Sequence, residues 1–143
     1  VDANDQHYEV PPEFFKKVLG QRLKYSCSLF NGQTNLDEAE DKMLDLYIER
    51  ANILNGQEIL DLGCGWGSFS LYAAAKFPES NFTSVSNSFD QINFINEEAE
   101  KRNLKNIQQG IPKNIPKKLR KIYQKASKIM PKWKRKSVIG HVS

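Results

Sequence analysis

Residues 58–67 read EILDLGCGWG, and this stretch decides the fold class. A short apolar run leads into three glycines at alternate positions, and a stretch that suits a helix, 68–77, follows at once. A buried strand, a tight turn and a helix N-terminus in this order indicate the first unit of a nucleotide-binding type of α/β fold. Glycine permits positive φ and close approach of a ligand to the backbone, while the first amides of the helix attract a negative group.

The flanking sequence extends this unit into an alternating pattern. Strands are predicted at 57–62, 81–86 and near 106–109, with helices between them at 68–76 and 88–102. Strands that alternate with helices of this length imply right-handed crossovers and a parallel sheet. We therefore divide the chain into a helical lead-in (1–55), a partial α/β domain with about three strands (56–110) and a basic tail (111–143).

The lead-in carries a short helix at 13–19, a loop at 21–33 and a longer helix. Asn35 is the predicted N-cap of that helix, with Glu38 as its capping-box partner. The charged remainder of the helix is interpreted as solvated surface. Its apolar positions recur at helical spacing and predict one buried face, made of Ala39, Met43, Leu46, Tyr47, Ala51 and Leu54.

Composition fits one small soluble domain of 143 residues with 39% apolar content. No apolar run approaches the roughly 20 residues that span a membrane. Cys27 and Cys64 are too few for a disulfide framework, which favours reduced thiols in a cytoplasmic protein. The N-terminus has neither an initiator Met nor a signal pattern, which suggests a fragment.

Charge separates the tail from the body. Residues 1–110 hold 10 Lys or Arg against 17 Asp or Glu, whereas residues 111–143 hold 11 Lys or Arg and no acid. The tail predicts an amphipathic helix near 116–130 and no further strand. It predicts weak, salt-sensitive contact with anionic membranes. Because it lacks a set of aromatic residues for stacking on bases, we predict no nucleic-acid partner.

The spacing of the glycines separates two kinds of ligand. A dinucleotide fingerprint has G-x-G-x-x-G and an acidic residue about 20 positions later. Here the pattern is G-x-G-x-G after Asp61, and the next strand ends at Asn87 without an acid. The D-x-G-x-G-x-G pattern resembles motif I of methyltransferases that depend on S-adenosylmethionine (SAM). Taken alone, the turn is also compatible with a purely structural glycine-rich turn.

Five segments, motif I among them, carry a wider resemblance: 7–10 with 13–15, 23–27, 36–40, 60–67, and 85–88 with Gln91. In this order and spacing they resemble the cyclopropane-fatty-acid-synthase superfamily of SAM-dependent methyltransferases, and most closely its coclaurine N-methyltransferase-like branch. The resemblance covers roughly residues 5–108. It implies the first half of a Rossmann-like parallel sheet, SAM as the cofactor, no metal, and methyl transfer to an amine nitrogen or a lipid alkene.

The resemblance also implies the cofactor-binding residues. The glycines of the turn would cradle the methionine moiety, and Asp61 would orient the turn or reach the ammonium group. Two residues of the lead-in loop would close over the methionine end. Two residues after the second strand would hydrogen-bond the ribose hydroxyls. In chain order the implied set is Tyr25, Ser26, Asp61, Gly63, Gly65, Gly67, Asn87 and Gln91.

Two residues match catalytic positions of the family. Tyr8 falls where the family has an active-site tyrosine, and Cys27 where cyclopropane synthases have a cysteine near a bicarbonate base. The alternatives are a packing role for Tyr8 and a buried, small apolar role for Cys27.

Departures from the family concern both the cofactor and the acceptor. The acidic residue that follows the third strand and would hold the adenine end of the cofactor is missing, and so is the E-x-F-E-H segment that shapes the acceptor site. A fourth strand beside the first is also missing, which predicts an exposed edge on strand one. We therefore predict a truncated form that does not turn over substrate alone. The alternative is a non-catalytic isoform or gene-model product whose basic tail binds lipid or a partner.

Overall fold

The computed structural model describes residues 12–32, 35–110 and 138–142. Its sheet has the strand order β3-β2-β1-β4, with β1, β2 and β3 parallel and β4 antiparallel to β1. The parallel strands alternate with helices, which confirms the predicted first half of a Rossmann-like sheet. The elements are α1 (Pro12–Val18), α2 (Leu36–Arg50), β1 (Glu58–Leu62), α3 (Ser68–Lys76), β2 (Asn81–Val85), α4 (Phe89–Lys101), β3 (Ile107–Gly110) and β4 (Val138–Val142).

The core forms where helices cover the parallel strands. Ile59 of β1 lies opposite Phe82 of β2 in the sheet register, and both side chains are buried. Phe69 of α3 and Leu44 of α2 belong to the same buried cluster. Strands buried on both faces need apolar side chains at nearly every position. The buried Asp61 of β1 is therefore an exception to this apolar pattern.

Helix α2 begins as predicted, and its buried face matches the prediction in part: Ala39 is buried, and Tyr47 and Ala51 pack against the core cluster. The Asn35 side chain accepts a hydrogen bond from the Glu38 N–H at 2.9 Å, which confirms the cap. Leu54, however, is 58% exposed, while Glu40 and Leu44 are fully buried. The prediction failed at Leu54 because the helix ends at Arg50 and Asn52 adopts a φ of 50°, so the helical period stops there.

Strand β4 overturns two predictions, namely that no strand follows residue 110 and that the β1 edge is exposed. It pairs with β1 along its length, with Leu60 opposite Gly140. Three of the five β4 residues are β-branched, a type that suits strands, and an open edge offers unpaired N–H and C=O groups. The predicted tail helix at 116–130 lies outside the described residues.

None of the helices in the described ranges combines the length and apolar content needed to cross a bilayer.

Candidate functional site

The glycine turn lies at the carboxyl end of β1 and is held against the end of β2. Gly63, Gly65 and Gly67 all have positive φ, at 84°, 55° and 77°. The Gly63 and Cys64 N–H groups both donate to the Val85 carbonyl, at 2.9 and 3.1 Å. Ligands of open parallel sheets bind at the carboxyl ends of the strands. The turn therefore faces the end of the sheet at which a ligand is expected.

Gly65 and Gly67 are glycines for different reasons. A Cβ added at Gly65 would meet no other atom within 4 Å, so its surroundings are open. A Cβ added at Gly67 would lie 2.6 Å from Cγ1 of Ile95 and 3.3 Å from Cδ1 of Leu71. Gly67 thus lets α3 pack closely on α4, whereas the space beside Gly65 suits the approach of a ligand.

Asp61 ties the end of β1 to helix α3. The Ser70 hydroxyl donates to its Oδ2 at 2.6 Å, and the carboxyl group is almost wholly removed from solvent. Burial raises the pKa of Asp61 to about 6, against the lowering effect of the Ser70 hydrogen bond. Burial, together with the charge of Asp61, also raises the pKa of the Cys64 thiol, which keeps that thiol protonated.

A hydroxyl and amide network fixes the segment after β2. The Ser86 hydroxyl donates to Oε1 of Gln91 at 2.6 Å, and the Ser88 N–H donates to the Ser86 oxygen at 3.1 Å. Asn87, between the two serines, is exposed. Because Gly63 binds Val85, only two residues before Asn87, the structure brings Asn87 and Gln91 to the same sheet end as the glycine turn.

An aromatic cluster joins the lead-in to the turn. The ring of Tyr25 meets Phe15 of α1 edge to face at 5.2 Å between centroids. Phe15 meets Trp66 of the glycine turn at 5.3 Å, and Trp66 meets Phe94 of α4 at 5.5 Å. Tyr25 itself is 60% exposed. The cluster therefore links an accessible tyrosine to the turn through Phe15.

Of the two predicted catalytic residues, Cys27 lies within the described ranges and Tyr8 does not. The Cys27 side chain is exposed, so the alternative of a buried apolar role is wrong. The carbonyl of Cys27 accepts a hydrogen bond from the Lys24 ammonium at 2.8 Å, and the Ser26 hydroxyl accepts another. Tyr8 lies outside the described residues. The catalytic roles of both residues stay predictions.

Sequence reasoning missed the residues that hold the lead-in loop. Glu40 is fully buried and accepts hydrogen bonds from three backbone N–H groups of the loop, although α2 was interpreted as having a solvated charged surface. Lys24 is also buried. The available signal was the spacing of Asp37, Glu40 and Asp41, because residues three and four apart share one helix face.

The arrangement suits a polar organic ligand. It offers an open, glycine-lined backbone, a carboxyl group behind the turn, and amide and hydroxyl side chains at the next strand end. Across residues 12–32, 35–110 and 138–142, no group of three or more His, Cys, Asp or Glu side chains is placed to hold a metal ion.

Comparison with known proteins gives a family and two relevant structures. The family model described as mycolic acid cyclopropane synthetase matches residues 1–125. The chain is 53% identical over 106 residues to (S)-coclaurine N-methyltransferase of Thalictrum flavum subsp. glaucum, which covers 73% of the chain and 29% of that relative. The chain therefore spans less than a third of the relative's length.

The solved structures agree with both branches of the resemblance. Coclaurine N-methyltransferase bound to N-methylheliamine and SAH (S-adenosylhomocysteine) matches with 48% identity and a TM-score of 0.74, over 76% of this chain and 31% of that one. The mycolic acid cyclopropane synthase CmaA1 complexed with SAH and CTAB matches with 26% identity and a TM-score of 0.65, over 78% and 40%. These matches confirm the predicted family.

Proposed function

Since the chain belongs to the mycolic acid cyclopropane synthetase family, we propose that it forms the SAM-binding part of a methyltransferase. One arrangement carries the proposal: the glycine turn and the Asn87–Gln91 segment lie at the carboxyl end of the parallel strands, and Tyr25 is linked to the turn through Phe15 and Trp66. The open space beside Gly65 fits a cofactor that lies against the backbone. Bound SAM supplies an electrophilic methyl group for in-line transfer to a nucleophile.

The chain's own residues would divide the binding between them. Gly63 and Gly65 let the methionine end approach the backbone, and Asp61 orients the turn through Ser70. Asn87 and Gln91 carry amides that both donate and accept hydrogen bonds, which suits two ribose hydroxyls. Tyr25 and Ser26 cover the methionine end and exclude water from it.

The acceptor is proposed as an amine nitrogen or a lipid alkene, in line with the relatives. For this chain alone we propose no turnover, because the E-x-F-E-H segment is not in the sequence. Loss of acid–base groups typically costs about 10²–10⁴-fold in rate. An exposed β1 edge is not a cause of this loss, because β4 pairs with β1.

The test is methyl transfer from labelled SAM to a panel of amines and unsaturated phospholipids, with a full-length coclaurine N-methyltransferase assayed in parallel. We expect labelled SAM to crosslink to residues 1–143 under ultraviolet light, and we expect no labelled product above background. Failure to crosslink, with crosslinking of the relative under the same conditions, would contradict the cofactor assignment. Turnover within about tenfold of the relative would contradict the proposed loss of acid–base groups.

The basic tail is proposed to contact anionic membranes weakly, and the protein is proposed to be cytoplasmic. The 11 basic residues of 111–143 support the proposed membrane contact. Binding to phosphatidylserine vesicles should fall steeply as salt rises, because salt screens charge attraction. Binding that persists unchanged at high salt would contradict it.

A further inference from the structure

Glu40 holds the lead-in loop by its backbone. Its Oε1 accepts from the Gly20 N–H at 3.1 Å and the Lys24 N–H at 3.3 Å, and its Oε2 accepts from the Arg22 N–H at 2.9 Å. The side chain is fully buried. An ionised carboxylate only accepts hydrogen bonds and has two oxygens to do so, which matches three N–H donors that converge from one loop. Backbone donors thus stabilise a buried charge.

Two neighbouring carboxylates of α2 extend the same hold. Asp37 accepts from the Gln21 N–H at 2.7 Å, and Asp41 accepts from both Nε and Nη2 of Arg22 at 2.6 and 3.1 Å. The loop approaches α2 so closely that a Cβ at Gly20 would lie 2.7 Å from the carboxylates of both Asp37 and Glu40. Four loop residues, Gly20, Gln21, Arg22 and Lys24, therefore donate backbone hydrogen bonds to carboxylates of this helix face.

Lys24 connects the segment bound to α2 with the residues that are proposed to cover the cofactor. Its backbone N–H binds Glu40, while its buried ammonium donates to the Ser26 hydroxyl, the Cys27 carbonyl and the Tyr47 hydroxyl. The ammonium also lies 4.8 Å from the centre of the Tyr47 ring. Tyr25 and Ser26 are thus the next two residues after Lys24, whose backbone N–H is bound by Glu40.

We propose that Glu40 is a positioning residue for cofactor binding, which acts by holding Tyr25 and Ser26 over the glycine turn. The inference rests on the proposed function, since it assigns Glu40 a share in SAM affinity. Substitution by Gln keeps one acceptor oxygen but turns a donor toward one of the N–H groups, so Glu40→Gln removes at least one of the three bonds with little change of volume.

The experiment is an NMR titration of the 143-residue chain with SAH, with amide exchange measured on the free protein. For Glu40→Gln we expect faster exchange of the Gly20, Arg22 and Lys24 amides and roughly tenfold weaker SAH binding. SAH should still shift the glycine-turn amides at saturation, whereas the shifts of Tyr25 and Ser26 should diminish. A merely structural role would weaken both sets of shifts in proportion. Glu49→Gln, an exposed glutamate on the same helix, is the matched control and should change none of these values.

Asp37→Ala provides a second variant in case Glu40→Gln does not fold. It removes one loop bond at the rim of the cluster and should give smaller changes in the same direction. Unchanged exchange of the loop amides, or SAH affinity equal to that of the unmodified chain, would overturn the inference alone. Absence of SAH binding by the unmodified chain would overturn the proposed function and this inference with it.

Discussion

The glycine turn and the lead-in loop form two sides of one candidate site, but their backbones are held in different ways. The turn's N–H groups donate to backbone carbonyls, those of Val85 and Cys64. Four of the loop's N–H groups instead donate to side-chain carboxylates 16 to 20 residues later in the chain. The turn therefore depends on its glycines and on strand pairing. The loop depends on individual acidic side chains of α2.

Gly67→Ala should be the most damaging small substitution in the turn. The added Cβ is forced against Ile95 at 2.6 Å, and the backbone there has a φ of 77°. Together, left-handed strain and overpacking should lower the free energy of unfolding by about 2–5 kcal/mol. Urea denaturation measures this change.

Gly32→Ala is the matched control for Gly67→Ala. Gly32 has a φ of 83°, and a Cβ there would meet nothing within 4 Å, so only the backbone strain remains. Gly32→Ala should lower the free energy of unfolding by about 1–2 kcal/mol. Equal losses at the two glycines would show that close packing of α3 on α4 does not require Gly67.

Asp61 gives the turn a dependence of stability on pH. Its pKa is about 6 in the folded protein because it is buried. The folded state therefore keeps a proton that the unfolded state, with a pKa of about 4, releases. The free energy of unfolding should fall by on the order of 3 kcal/mol as pH rises from about 4 to 6.

Asp61→Asn should remove this fall, because Asn can still accept from Ser70 and does not ionise. Urea denaturation at several pH values measures the difference between the variant and the unmodified chain. Glu97→Gln, at an exposed position of α4, is the control and should leave the pH profile unchanged. If the free energy of unfolding varied with pH in the same way in Asp61→Asn and in the unmodified chain, the buried Asp61 carboxyl group would not be the source of the pH dependence.

The Arg22–Asp41 pair should matter least. Both side chains are partly exposed, at 25% and 34%, and water screens their attraction. Asp41→Asn should lower the free energy of unfolding by about 0.5–1 kcal/mol and leave the exchange of the Gly20 amide almost unchanged. Thermal denaturation and amide exchange test this. An effect as large as that of Glu40→Gln would mean that the ion pair, rather than the buried carboxylate, holds the loop.

The sequence was sufficient where the structure is local. Helix α3 has the predicted bounds, and the strands that flank it begin and end within a residue of prediction, because the glycine turn and Pro78 mark the ends. It was insufficient at Glu40, since a charged helix residue looks the same whether water or a distant loop surrounds it. Strand β4 was missed because its pairing depends on an open edge about 80 residues earlier in the chain.

We propose that the glycine turn and the lead-in loop bind one cofactor. Titration of the chain with SAH, followed by the amide signals of Gly65 and Ser26, tests it most directly. Both signals should follow one binding curve, and Gly65→Val should abolish both responses, because a branched side chain would fill the open space beside the backbone. Different curves for the two amides, or unchanged affinity in Gly65→Val, would contradict the claim.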